Sequence, residues 1–290
     1  MTDVASENLE AQEAWNGVLF DRFLRYRDIV IGAAATFGDE ALRLNPPKAG
    51  NRALDVGCGF GDTAQQLAQL VGPSGSVLGV DIAPRFIEHA QREAEEAGVA
   101  NVSFEVRDVQ QTTFDDSFDY VFSRFGTMFF DNPVPALRNM RAAMREGALL
   151  CSVVWRRKID NPWLHVAEEV VKPHLPDPDE SETDEPRCGP GPFSMADADT
   201  ATGQLTSAGF SEITLRRCDA KLQLGTSLDL AIEMNLALGP AAEALRLAGD
   251  QGAAVRPELE RLLNDALSRF VQPDGRVEAQ ASTWIVTARA

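Results

Sequence analysis

The chain is short of positive charge, of aromatic side chains and of histidine. Lysine and arginine number 27 against 44 aspartates and glutamates, a formal net charge of −17. A field of that sign repels a phosphate backbone or an anionic lipid surface, so neither nucleic acid nor membrane is an expected partner. No run of eighteen apolar residues occurs, and the first twenty residues carry acids where a leader would carry bases followed by an apolar segment. Neither a membrane span nor a signal peptide is therefore expected, and the default location is cytoplasmic. The four cysteines, Cys58, Cys151, Cys188 and Cys218, show no C-x-x-C spacing; they read as separate reduced thiols, and no metal site is expected. What is present, 44% hydrophobic and 24% charged residues over 290 positions, suits one large folded domain with an appendage.

From Arg52 onward, short β-branched runs alternate with helical patterns, which predicts an α/β fold with a mostly parallel sheet. Strands are predicted at Ala53 to Val56, Ser76 to Asp81, Asn101 to Val106, Phe118 to Phe122 and Ala148 to Val154, with helices from Asp62, from Pro84 and over Pro133 to Arg145. Six acids between 177 and 185, interleaved with prolines, read as a solvated loop over Asp177 to Arg187. Beyond it the pattern gives a helix at Ala196 to Ala208, a strand at Glu212 to Leu224, helices at 228 to 248 and around Leu259 to Val271, and a closing strand at Ala281 to Ala288. The division expected is an N-terminal helical cover of one or two helices (1–44), a core (45–224 and 273–290) and a helical insertion or lid (225–272).

The most informative segment is Leu54 to Asp62, in which an apolar strand carrying Asp55 runs into glycines 57, 59 and 61 and then into a helix. Glycine tolerates positive φ and brings bare backbone against a ligand, while the helix that follows offers its free N–H groups. The spacing is G-x-G-x-G rather than the dinucleotide G-x-G-x-x-G, and Asp55 is a poor neighbour for a diphosphate. It suits a cofactor bearing an ammonium and a sulfonium, so the turn suggests S-adenosylmethionine before NAD. Asp81, at the end of the second strand, is placed to hold two ribose hydroxyls of either nucleoside; the alternative is a helix cap ahead of Pro84. Asp108, beyond the third strand, is placed to accept from an adenine amino group beside Val109, or else is a turn residue.

In this order and spacing, Leu54-Asp-Val-Gly-Cys-Gly-Phe-Gly, Val80-Asp-Ile, Arg107-Asp-Val and Phe118-Asp-Tyr-Val-Phe-Ser resemble class I S-adenosylmethionine-dependent methyltransferases, closest to the ubiquinone and menaquinone biosynthesis type, over about residues 50 to 155. The resemblance implies a Rossmann-like seven-stranded sheet in the order 3-2-1-4-5-7-6 with strand 7 antiparallel. It also implies Asp55, Gly57, Cys58 and Gly59 around the cofactor's methionine portion, Asp81 on the ribose, and Ile82 against the adenine with Asp108 and Val109 at its edge. Ser123 and Arg124 would lie near the methionine part, and Trp15-Asn16-Gly17 resembles an N-terminal motif that closes over the cofactor, which makes Trp15 a further contact. One departure is Glu146-Gly147, where the family usually has Pro-Gly-Gly; it should alter the hairpin and leave cofactor binding untouched.

Methyl transfer to an oxygen, nitrogen or carbon needs a general base only when the acceptor must lose a proton. Of the three histidines, His89 lies mid-helix, and His165 is a weak candidate together with His174 because both follow the fifth strand. Aromatic and large apolar residues are the better guide to the acceptor: Phe20, Tyr26, Phe125, Met128, Trp155 and Trp163 belong to segments near the carboxyl edge of the sheet. A small apolar or aromatic acceptor is therefore expected, with packing as the other reading of these side chains. The helical cover would exclude water and is also a candidate homodimer surface. The competing functions are an NAD(P)-dependent oxidoreductase and a non-catalytic S-adenosylmethionine-binding protein.

Overall fold

The computed structural model describes residues 8–115, 117–178 and 183–290. Residues 1–7 of the N-terminal cover and 179–182 of the acidic stretch lie outside the described residues. Three N-terminal helices stand where one or two were expected: α1 (Leu9–Asn16), α2 (Val18–Arg25) and α3 (Arg27–Leu44). Gly17 breaks the first pair, and a Cβ there would lie 2.8 Å from the Glu13 carbonyl oxygen. The second break is at Tyr26, whose ψ of 21° leaves the helical range.

The alternating elements that follow are β1 (Arg52–Val56), α4 (Asp62–Val71), β2 (Ser76–Asp81), α5 (Pro84–Glu96), β3 (Val102–Val106), β4 (Phe118–Arg124), α6 (Pro133–Ala142) and β5 (Met144–Trp155). The remainder is α7 (Pro162–Val171), α8 (Ala198–Ser207), β6 (Ser211–Gly225), α9 (Leu228–Asn235), α10 (Pro240–Leu247), α11 (Gly249–Leu267) and β7 (Val277–Arg289). The seven strands lie in the order β3-β2-β1-β4-β5-β7-β6. β1 to β5 run parallel, and β7 is antiparallel to both β5 and β6, so the sheet implied by the resemblance is the one observed.

The sheet is covered on both faces, as a parallel sheet must be. Leu54 and Val56 pack with Leu137, Met140 and Leu205 beneath α6 and α8. Ala53 packs on the opposite face with Phe37 of α3 and with Ala64 and Leu67 of α4, and by the two-residue period of a strand Asp55 shares that face. A third apolar cluster joins α7, α9, α10 and α11 through Val171, Ile232, Ala241, Leu259 and Leu263. Among the described residues no helix is long and apolar enough to cross a membrane.

Several local features go beyond the sequence reading. The helical stretch at 228 to 248 is cut in two at Gly239, whose φ is +90°. α7, which the sequence reading leaves unassigned, starts with Pro162 in its first turn and buries Trp163, Leu164, Ala167 and Val171. Around Glu146-Gly147, Phe118 pairs with Met144 but Tyr120 with Leu149, so the intervening residues bulge. That bulge is tied to the end of the chain, with Gly147 N–H donating to the Ala290 carbonyl at 3.3 Å and Arg289 donating to the Gly147 carbonyl at 3.0 Å. Finally, the described end of the acidic stretch is exposed at Asp177 and Asp184, as expected, but is tied down at Glu185 and Arg187. Both oxygens of the Glu185 carboxylate accept from Arg22 of α2, at 3.0 and 3.1 Å, its carbonyl accepts from Arg246, and Arg187 N–H donates to Glu10.

Candidate functional site

The strands β1 and β2 end at a cavity of about 1160 Å³ that continues under the N-terminal helices to α7 and α10. The three glycines of the turn do different work. Gly57 has φ +69°, and a Cβ on it would come within 3.0 Å of the Gly126 backbone. Gly59, at φ +53°, borders open space: its Cβ would meet nothing nearer than Phe86 Cδ1 at 4.0 Å. Gly57, Cys58 and Gly59 line the cavity, whereas Gly61 does not. At Gly61 a Cβ would fall 2.7 Å from the Ala90 methyl and 2.8 Å from the Phe104 ring, so this glycine lets α4 and α5 close on the sheet.

Asp81 closes the turn from the neighbouring strand. One carboxylate oxygen accepts from Gly59 N–H and the other from Ala83 N–H, both at 3.0 Å. Its enclosure raises the pKa, against the opposing pull of the Ala83, Gly59 and Ile82 N–H groups. Each oxygen keeps a second lone pair for a hydroxyl donor. Ile82 and Val109 line the same wall, and Asp108, buried, accepts from Asn8 Nδ2 at 2.7 Å and from Gln110 N–H at 3.0 Å. Trp15 also lines the cavity between Phe23 and Phe129, but its indole N–H is spent on the Cys188 carbonyl at 3.1 Å. Asn16 caps α5 through Arg85 N–H.

Asp55 stands one layer behind the cavity wall, 1% exposed, with Oδ2 buried and without a hydrogen-bond partner. Burial raises its carboxyl to about 7; the Arg124 guanidinium pulls the other way, and Asp62 and Asp81 push upward. Arg124 lines the cavity but is committed to Asp62 at 2.7 Å, so Asp55 lacks a cation of its own. Ser123 is a correction to the sequence reading. It is fully buried, donates to the Val56 carbonyl at 2.8 Å and ties β4 to β1 away from the cavity.

The far half of the cavity is an aromatic chamber. Phe125 stacks on Trp155 with ring centroids 4.5 Å apart, Trp155 meets Trp163 edge-on, and Met128, Phe129 and Phe193 complete the wall. Phe125 holds φ at +60°, a left-handed conformation that a bulky residue adopts only when its surroundings impose it. Two expected acceptor contacts are corrected. Phe20 packs among Phe60, Phe86 and His89 under the Arg85 guanidinium, and Tyr26 is buried beside Arg25 and Glu233; neither lines the cavity. His165 is corrected as well, since it does not face the chamber, and neither do His89 and His174. The titratable groups at this end of the cavity that the sequence reading missed include Lys158, Glu168 and Lys172. Among the described residues no group of three or more histidine, cysteine or acidic side chains is placed to hold a metal ion.

Residues 47–181 match a family model described as a methyltransferase domain. Aklanonic acid methyltransferase DauC of Streptomyces sp. strain C5 is 40% identical over 101 residues, 34% of this chain and 46% of that protein. Demethylmenaquinone methyltransferase of Geobacillus kaustophilus is 32% identical over 133 residues, 46% of this chain and 52% of that protein. The chain thus spans about half the length of the curated relatives it matches. Among solved structures, the YcgJ protein of Bacillus subtilis superposes with a TM-score of 0.56 at 17% identity, covering 89% of this chain and 97% of that one. This is a likeness of fold.

Proposed function

We propose that this chain is a class I S-adenosylmethionine-dependent methyltransferase that transfers a methyl group from S-adenosylmethionine to a small planar acceptor held in the aromatic chamber. The observation that carries the reading is the continuity of one cavity from Gly59 and Asp81 to Trp155 and Trp163. The residues present fit the cofactor: an open backbone cradle at Gly59, a carboxylate with free lone pairs at the end of β2, and a buried carboxyl at Asp55 that lacks a cation. When bound, S-adenosylmethionine supplies a methyl group already activated by its sulfonium. The protein's share is then placement of the acceptor in line and exclusion of water, and orientation of this kind is worth several kcal/mol, up to about 7–11. The roof from Glu185 to Phe193, held by Arg22, Trp15 and Arg246, supplies that exclusion.

Titration calorimetry with S-adenosylhomocysteine and with NAD tests the reading. One molecule of S-adenosylhomocysteine per chain and no NAD binding is the expected result; tight NAD binding without the homocysteine adduct overturns it.

The same titration run against pH probes Asp55. A ligand ammonium in the cavity, acting through the thin wall in front of this buried carboxyl, favours its ionised form, so affinity for S-adenosylhomocysteine is expected to fall as pH drops through about 7, by up to about tenfold per pH unit. The ligand-free fold has the opposite sign. Its Asp55 keeps a proton up to about 7 that the unfolded chain releases near about 4. That contribution to stability is complete below the unfolded value and is lost as pH rises through the folded one. Asp55→Asn should flatten both profiles, and an unaltered affinity profile in that variant would remove Asp55 from the cofactor's electrostatics.

A further inference from the structure

The acceptor wall carries one ionic cluster that packing does not account for. Glu168 of α7 is buried, and its two oxygens are taken by two different ammonium groups, Lys158 from the turn after β5 and Lys172, the latter at 2.7 Å. All three side chains line the cavity, with Trp163, Leu164 and Phe193 around them, and the Lys158 ammonium lies 5.8 Å from the Phe193 ring centroid. A structural ion pair needs one cation, and a buried pair is seldom a better source of stability than apolar residues of the same volume. Two lysines on one glutamate leave this cluster with one positive charge in excess, beside the aromatic part of a lining that elsewhere also carries Asp177, Glu185 and Glu243 with Arg22 and Arg246.

The hydrogen-bond inventory points the same way. An ammonium has three donors and no acceptor, and both oxygens of the only carboxylate in the cluster are already engaged. The indole N–H of Trp163, five residues before Glu168 on the same helix, is buried without a partner, and a buried indole N–H ordinarily finds one. The cluster therefore presents more donors than acceptors, two ammonium groups with three N–H each against the lone pairs of one carboxylate. Its complement is a group that brings oxygen acceptors and one negative charge on a flat apolar body.

We propose that Lys158, Lys172 and Glu168 form an anion anchor that selects an aromatic acceptor bearing a carboxylate. This rests on the methyltransferase reading above. The two ammonium groups bind the carboxylate, while Glu168 is a positioning residue that holds them together and tempers their charge before the acceptor enters.

A matched pair of probes tests the anchor: 2-naphthoate and its neutral isostere 2-naphthamide, titrated calorimetrically into the protein with and without saturating S-adenosylhomocysteine. The wild-type protein is expected to prefer the acid by about tenfold or more, the scale of one charge-assisted hydrogen bond. Lys158→Met should erase most of that preference and Lys172→Met part of it, each with little change in naphthamide affinity. Glu168→Gln frees both ammonium groups and should increase the preference; a purely structural glutamate would weaken both probes alike. Should that variant not fold, the lysine variants decide alone. Equal binding of acid and amide, binding of neither, or an acid preference that survives Lys158→Met overturns the anchor. Failure to bind S-adenosylhomocysteine with the acid preference intact would instead overturn the methyltransferase reading and leave the anchor standing.

Discussion

Replacing Asp81 by alanine is expected to weaken S-adenosylhomocysteine binding by about a hundredfold or more. Two hydrogen bonds from ribose hydroxyls to an ionised carboxylate are lost together, each worth about 1.5–3 kcal/mol. The loss also reaches the cradle, because Gly59 N–H and Ala83 N–H both donate to this carboxylate at 3.0 Å. An orphaned N–H costs about 1–3 kcal/mol when buried, and the turn that carries Gly59 is then free to shift. The stability change is smaller than the affinity change, because removing Asp81 also removes the cost of enclosing a carboxylate, the same cost that raises its pKa. Calorimetry and a melting curve on the same sample separate the two effects. Affinity within about threefold of wild type would dismiss Asp81 as the ribose ligand, whereas a large drop in melting temperature with unchanged affinity would mark it as a turn residue only.

The end of the cavity formed by the glycine turn was legible in the sequence because its signals are local. Glycines at alternate positions after a short strand, and acids at the ends of the next two, state a backbone geometry within a few residues. What failed were assignments that depend on which way an element faces. Ser123 and Arg124 are successive residues of a strand, so they point to opposite faces of the sheet; only Arg124 reaches the cavity, and Ser123 turns to the Val56 carbonyl. On α2, Val18, Leu19, Arg22 and Phe23 line the cavity, a face of one helical turn that excludes Phe20. An aromatic count identifies such a helix as cover and leaves its rotation open.

α7 shows the same limit with a larger consequence. Leu164, Glu168 and Lys172 recur every four residues and share one face, so all three meet the cavity while His165, about a quarter-turn away, does not. A glutamate inside the apolar stripe of Trp163, Leu164, Ala167 and Val171 is the signal that identifies this face. It becomes readable only once Pro162 is taken as a helix start, and a search for histidine bases passes over it. The acidic stretch is a related case. Its composition is that of a solvated loop, yet Arg22 and Arg246 come from segments far away in the chain to hold Glu185.

Replacing Gly61 by valine is expected to damage stability where replacing Gly59 by alanine damages binding. At Gly61 the backbone sits at φ +80°, and the first added carbon would lie 2.7 Å from the Ala90 methyl and 2.8 and 2.9 Å from atoms of the Phe104 ring. Neither neighbour has room to retreat. Ala90 is fully buried on α5, and the Phe104 ring is pinned against Gly79, where a Cβ would approach it to 2.6 Å. Overpacking of about 1–3 kcal/mol adds to left-handed strain of about 1–3 kcal/mol, so the melting temperature should fall by roughly 10 °C. Gly59 has the opposite profile. Its φ of +53° imposes only the strain, since an added methyl meets protein no closer than 4.0 Å; but that methyl stands in the open space the glycine borders. Gly59→Ala should therefore show only the strain share of that fall, roughly 5 °C, and lose S-adenosylhomocysteine affinity by about tenfold or more, on the scale of one displaced contact. A wild-type melting curve for Gly61→Val would refute the packing role, and undiminished affinity in Gly59→Ala would refute the cradle.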